Sequence, residues 1–99
     1  MSGRLVRDDQ SMTALGDTVE QVLRATQDLL AGSPHDPIAS TPSSVRDLLA
    51  AGEDVVAYEI LCDNLYEIDA RPPVDLGRAL RQAAIDSGAD PRRADLLID

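Results

Sequence analysis

From Met12 onward, apolar residues return at helical intervals. Met12, Leu15, Val19, Val22, Leu23, Leu29 and Leu30 recur at three- and four-residue steps with polar residues between them, the period of an amphipathic helix. Two starts fit this helix: Ser11 as a cap, or an Asp17–Glu20 capping box after a break at Gly16. Gly32 should end it. Residues 32–42 (GSPHDPIASTP) hold three prolines and no period, which predicts a loop. Thr41-Pro42 reads as an N-cap followed by proline at the first helical position. It opens a short helix with Val45, Leu48 and Leu49 on its apolar side, ending near Gly52. A further helix spans about Glu53 to Asp69, with Val55, Tyr58, Leu61, Cys62, Leu65 and Tyr66 as a wide apolar face. Arg71-Pro72-Pro73 breaks the chain. The next helix, about Pro73 to Ser87, turns Leu76, Leu80, Ala83 and Ala84 inward and closes at Gly88. Asp90-Pro91 is a second cap-then-proline start and leads into a last turn or two with Leu96, Leu97 and Ile98.

These elements predict an all-α fold, a small antiparallel bundle of four to five helices with short connections. Residues 1–10 are polar and unpatterned and are expected to form a flexible arm; residues 11–99 form a single helical domain. The composition agrees. There is no Phe and no Trp, and the only aromatics are Tyr58 and Tyr66. The core must come from Leu, Val, Ile and Ala, and the scarcity of aromatic residues favours helices over strands. A chain of 99 residues has room for one core and no second domain.

Charge changes the picture. The formal net charge is -9, and residues 53–69 carry two-thirds of it, with six acids (Glu53, Asp54, Glu59, Asp63, Glu67, Asp69) and no Arg or Lys. Glu53 and Asp54 fall in a first helical turn, where the helix dipole stabilises carboxylates. Glu59, Asp63 and Glu67 are spaced four apart and form one stripe. Like charges at that spacing destabilise a helix by roughly 0.2–0.5 kcal/mol per pair. Two readings suit such a stripe: a solvated face that keeps the protein soluble, or a docking site for something basic. Tyr66 stands beside it, and Tyr is enriched among interface anchors.

The acidity excludes several classes. Nucleic acid as a direct partner needs clustered Lys and Arg, and an anionic membrane surface needs the same. A helix-turn-helix pairing around Gly52 would present the acidic helix to DNA, the wrong sign. No apolar run reaches membrane-spanning length and the N-terminus lacks a signal-peptide pattern, which points to the cytoplasm. Cys62 and His35 are each the only residue of their kind and far apart in sequence, so a Cys–His catalytic pair is not expected. Cys62 falls on an apolar helix face and reads as a core thiol. There is no Ca²⁺ loop, no phosphate-binding glycine motif and no Glu-x-x-His pair. No enzyme activity, cofactor or metal is expected.

The stretch Leu48-Leu49-Ala50-Ala51-Gly52-Glu53, followed by Ala57-Tyr58-Glu59-Ile60-Leu61-Cys62-Asp63-Asn64-Leu65-Tyr66-Glu67-Ile68-Asp69, resembles the Maf-type immunity proteins. These small bacterial proteins protect a cell from its own polymorphic toxin. The matching pattern is L-x-x-G-E, a short gap, then A-x-E-x-L-C-D-x-L-Y-E, carried here by Leu49, Gly52, Glu53, Ala57, Glu59, Leu61, Cys62, Asp63, Leu65, Tyr66 and Glu67. The resemblance covers roughly residues 45–88. It implies a non-catalytic protein that binds and neutralises a toxin domain, often a nuclease. A nuclease site is basic because it holds phosphate, so charge and resemblance lead to one expectation. The partner is a cognate toxin domain with a basic surface, and the contact residues are Glu59, Asp63, Tyr66, Glu67 and Asp69. The fallback surfaces are the loop around His35 and the Arg92-Arg93 region. The alternative is a helical adaptor or homodimer, with Leu15, Val19, Val22 and Leu29 as its seam.

Overall fold

The structure, a computed structural model, describes residues 14–98. The expected arm at residues 1–10, Met12 and the Ser11 cap lie outside the described residues. All regular structure among the described residues is helical: α1 (Ala14–Ala31), α2 (Asp36–Ala39), α3 (Thr41–Ala50), α4 (Asp54–Glu67), α5 (Val74–Asp86) and α6 (Arg92–Asp95). Four longer helices make the bundle, and α2 and α6 are single turns.

α1 buries Leu15, Val19, Val22, Leu23, Thr26 and Leu30 along one face, the positions its period predicts. Thr26 enters this face without penalty because its hydroxyl donates to the Val22 carbonyl at 2.8 Å. Leu29 does not belong to the face. It lies roughly 100° round the helix from Leu30 and is 55% exposed. The alternative start at Asp17 is not used either, since α1 already runs through Gly16. A glycine suits that position because α4 comes close there: a Cβ on Gly16 would sit 3.1 Å from an Asp54 carboxylate oxygen.

The Pro-rich connection is not all loop. Residues 36–39 form α2, with Pro37 in its first turn and Ile38 buried beneath it. One turn holds one buried apolar residue, too little to show a period. Thr41 is also reassigned. It lies inside α3, with Ser40 at the boundary, and its side chain is buried. The Thr41 hydroxyl donates to the Pro37 carbonyl at 3.3 Å and accepts from the Asn64 amide at 2.9 Å, so it ties α2 and α3 to α4 rather than capping a helix.

α1 lies at the centre, packed on α4 and α5, with α3 laid across α4 and α6 closing over α5 and α4. The core joins α1's face to Val45, Ala57, Tyr58, Leu61, Cys62, Leu65, Leu80, Ala84, Ala94 and Leu97. α3, α4 and α5 end alike. In each, the residue after the cap takes a left-handed conformation: Gly52 at φ 79°, Asp69 at φ 56° and Gly88 at φ 77°. The next N–H then reaches back into the last turn, as in Ala70 to the Leu65 carbonyl at 2.9 Å and Ala89 to the Ala84 carbonyl at 2.8 Å. Asp69 occupies a place that the other two motifs give to glycine.

Candidate acidic interaction face

α4 presents its two sides differently. Ala57, Tyr58, Leu61, Cys62 and Leu65 are buried. Val55 and Tyr66, expected on that side, are 39% and 54% exposed. Tyr58 and Tyr66 are eight residues apart, which rotates them roughly 80° from one another. One ring is therefore in the core and the other in solvent.

Tyr58 fastens α6 to α4. Its hydroxyl donates to the Asp90 carbonyl at 2.6 Å and accepts from the Ala94 N–H at 3.1 Å. Burial, with Cys62 next, pushes its phenol up to about 12. Asp90 supports the same turn, its carboxylate accepting from the Arg92 N–H at 2.9 Å. The guanidinium of Arg92, bound to that carboxylate as well, holds the Asp90 carboxyl below its usual range.

This fastening sets Arg93 over the acidic stripe. Arg93 donates to Asp63 and lies 4.0 Å from Glu59. The bond to Asp63 in turn raises the guanidinium's own pKa. Residues 53–69 hold no Arg or Lys of their own, but the first two members of the stripe have Arg93 beside them, 30 residues beyond Asp63 in the chain. Each acid keeps part of its surface, with side-chain exposures of 41% for Glu59 and 61% for Asp63.

The far end of α4 is arranged differently. Glu67 is exposed, and among the described residues no ion pair reaches it. Asp69 pairs with Arg71 at 3.0 Å while its side chain stays 86% exposed. The five expected contact residues thus fall into two groups: Glu59 and Asp63 under Arg93, and Tyr66, Glu67 and Asp69 open at the C-terminal end. Beside this end is a hollow of about 510 Å³ whose apolar lining includes Leu29, Pro34, Ile68 and Ala70, with Asp69 and Arg71 at its edge. Sequence reasoning missed the hollow. Its only trace there is Leu29, an apolar residue off the buried face.

Cys62 is 1% exposed. Burial, and then the charge of Asp63, push its thiol up to about 12, so it stays protonated and unreactive. His35 is exposed on the α1–α2 connection. Among the described residues no group of three or more His, Cys, Asp or Glu side chains could hold a metal ion, and no helix is long and apolar enough to cross a membrane. Of the four residues of the alternative dimer seam, Leu15, Val19 and Val22 are fully buried inside the chain and Leu29 alone is exposed, so the four do not form a seam.

Comparison with known proteins returns no matching family model, no matching curated protein and no matching solved structure.

Proposed function

We propose that this protein is a non-catalytic immunity protein, which binds a cytotoxic effector domain, a nuclease being the leading case, and neutralises it stoichiometrically. The observation that carries the reading is the run Leu61-Cys62-Asp63-Asn64-Leu65-Tyr66-Glu67. It resembles the Maf-type immunity proteins and is divided between core and surface in a way that suits binding. Leu61, Cys62 and Leu65 are buried while Asp63, Tyr66 and Glu67 face solvent. The excess of acid supports a basic partner, since complementary charge raises association rates, up to roughly 10⁸–10⁹ M⁻¹s⁻¹ at low salt. An inhibitor that must intercept a toxin before it acts gains from that speed. The expected place of encounter is the cytoplasm.

The contact surface is the solvent side of α4 with its C-terminal turn: Glu59, Asp63, Tyr66, Glu67 and Asp69. A partner's cation meets Glu67 directly, whereas at Glu59 and Asp63 it shares the carboxylates with Arg93. The test is a pull-down from the native host with the tagged protein as bait and the double variant Glu67→Lys, Asp69→Lys as control. Protection of cells that express the captured effector is scored alongside. A basic, growth-inhibiting domain held and neutralised by the wild type alone is the expected result. Equal capture by both baits would keep the function and discard this surface. Self-association alone, with no toxic partner in cells that express one, would overturn the reading.

A further inference from the structure

We infer that the hollow between the C-terminal end of α1 and the α4–α5 turn is an anchor site for a basic protein segment that inserts an aliphatic side chain. The surface deepens the function proposed above and rests on that reading for the partner's identity. Three observations carry it. First, the hollow is concave and apolar on its floor, with Leu29, Pro34, Ile68 and Ala70 in its lining, and its about 510 Å³ exceeds what one aliphatic side chain fills. Leu29 is 55% exposed on a helix whose other large apolar residues are buried. More than half of its surface is left open on the wall of the hollow.

Second, the charged residues of the lining itself are Asp69 and Arg71, which pair with one another; the adjoining chain adds three exposed acids, Asp28, Asp36 and Glu67, and no further cation, so residues 28–36 and 67–71 sum to a net of -3 with His35 neutral. An apolar floor whose surroundings just beyond the rim are acidic favours an aliphatic side chain flanked by Arg or Lys and repels the same side chain flanked by acids. Third, Asp69 stands at this rim in a left-handed conformation, φ 56°, at the C-terminal end of α4. The helix dipole disfavours a carboxylate there, and glycine takes this conformation at least cost, with Asp among the few other residues that adopt it. The same turn is built with glycine at Gly52 and Gly88, so its backbone does not require the Asp69 carboxylate, which pairs with Arg71 at the edge of the hollow.

The test uses the full chain and short defined probes. An amidated, N-acetylated Arg-Leu-Leu-Arg peptide is titrated into the ¹⁵N-labelled protein, with Glu-Leu-Leu-Glu and Arg-Gly-Gly-Arg as controls. The expected result is saturable shifts of the Leu29, Ile68 and Ala70 amides with the first peptide only. In a Leu29→Gln variant the affinity falls about tenfold through loss of the aliphatic contact. Leu29 is half exposed, so this variant keeps its fold, and its circular dichroism verifies that. Shifts centred on Glu59 and Asp63 overturn the hollow and leave a purely ionic stripe. Equal shifts with the acidic peptide, or no saturable shift, overturn it as well. The host pull-down reads the function separately: an effector held equally by wild type and Leu29→Gln keeps the immunity reading and removes the anchor site.

Discussion

Tyr58→Phe removes one oxygen atom from the junction of α4 and α6. That oxygen donates to the Asp90 carbonyl and accepts from the Ala94 N–H. The two partners respond differently to its loss. Asp90 is exposed, so water replaces the hydroxyl at its carbonyl and the change there is a net hydrogen bond, about 0.5–1.5 kcal/mol. Ala94 is fully buried, and its N–H would be left without a partner, a penalty of about 1–3 kcal/mol. Together the substitution should destabilise the fold by about 1.5–4.5 kcal/mol, a large share of the about 5–15 kcal/mol that holds a domain of this kind. The chain can soften the loss by undocking α6. That would uncover Ala94 and Leu97 and lift Arg93 off Glu59 and Asp63. Urea unfolding gives the total loss, and hydrogen exchange at the Ala94 and Leu97 amides shows whether it is global or confined to α6. A loss under about 0.5 kcal/mol, with the Ala94 amide still protected, would refute the assigned role of this hydroxyl, because a buried unpaired donor cannot be that cheap.

Alkaline pH should weaken the fold in a defined window. Tyr58 and Cys62 are both raised to about 12, from ordinary values of 10.0 and 9.0. The unfolded chain therefore releases these protons first and binds fewer of them. Their stabilisation is complete below pH 9 and is lost as pH climbs from 9 towards 12, with a limiting slope of about 1.4 kcal/mol per pH unit for each group. Melting temperatures across that range test this, and Cys62→Ala should delay the onset towards pH 10. Asp69→Gly should raise stability by about 0.5–1 kcal/mol in urea, because relief of the left-handed backbone exceeds the loss of an exposed ion pair to Arg71. A fall in stability would show that the carboxylate supports the turn.

The all-helical fold and its four longer helices were legible in the order of apolar positions. Burial at a helical period is a local property, as is the glycine that ends α3 or α5. The core faces of α1 and α5 follow in the same way. Tyr66 and Val55 did not follow, because α4 is apolar over too wide an arc for its pattern to say where the neighbours stop. Only the packing of α3 and α6 decides that. Nor could α2 be read, since a single turn with one buried residue, Ile38, has no period. The acidic stripe was evident from the spacing of Glu59, Asp63 and Glu67, but its electrostatic character was not. Arg93 sits over two of the three acids and offsets one of their two charges from the far end of the chain, brought there by the Tyr58 hydroxyl and the burial of Ala94 and Leu97. The hollow beside Asp69 likewise exists only once the end of α1 and the α4–α5 turn lie side by side. Sequence spacing sets which residues share a face of one helix; which charges and surfaces meet across helices is decided by tertiary packing.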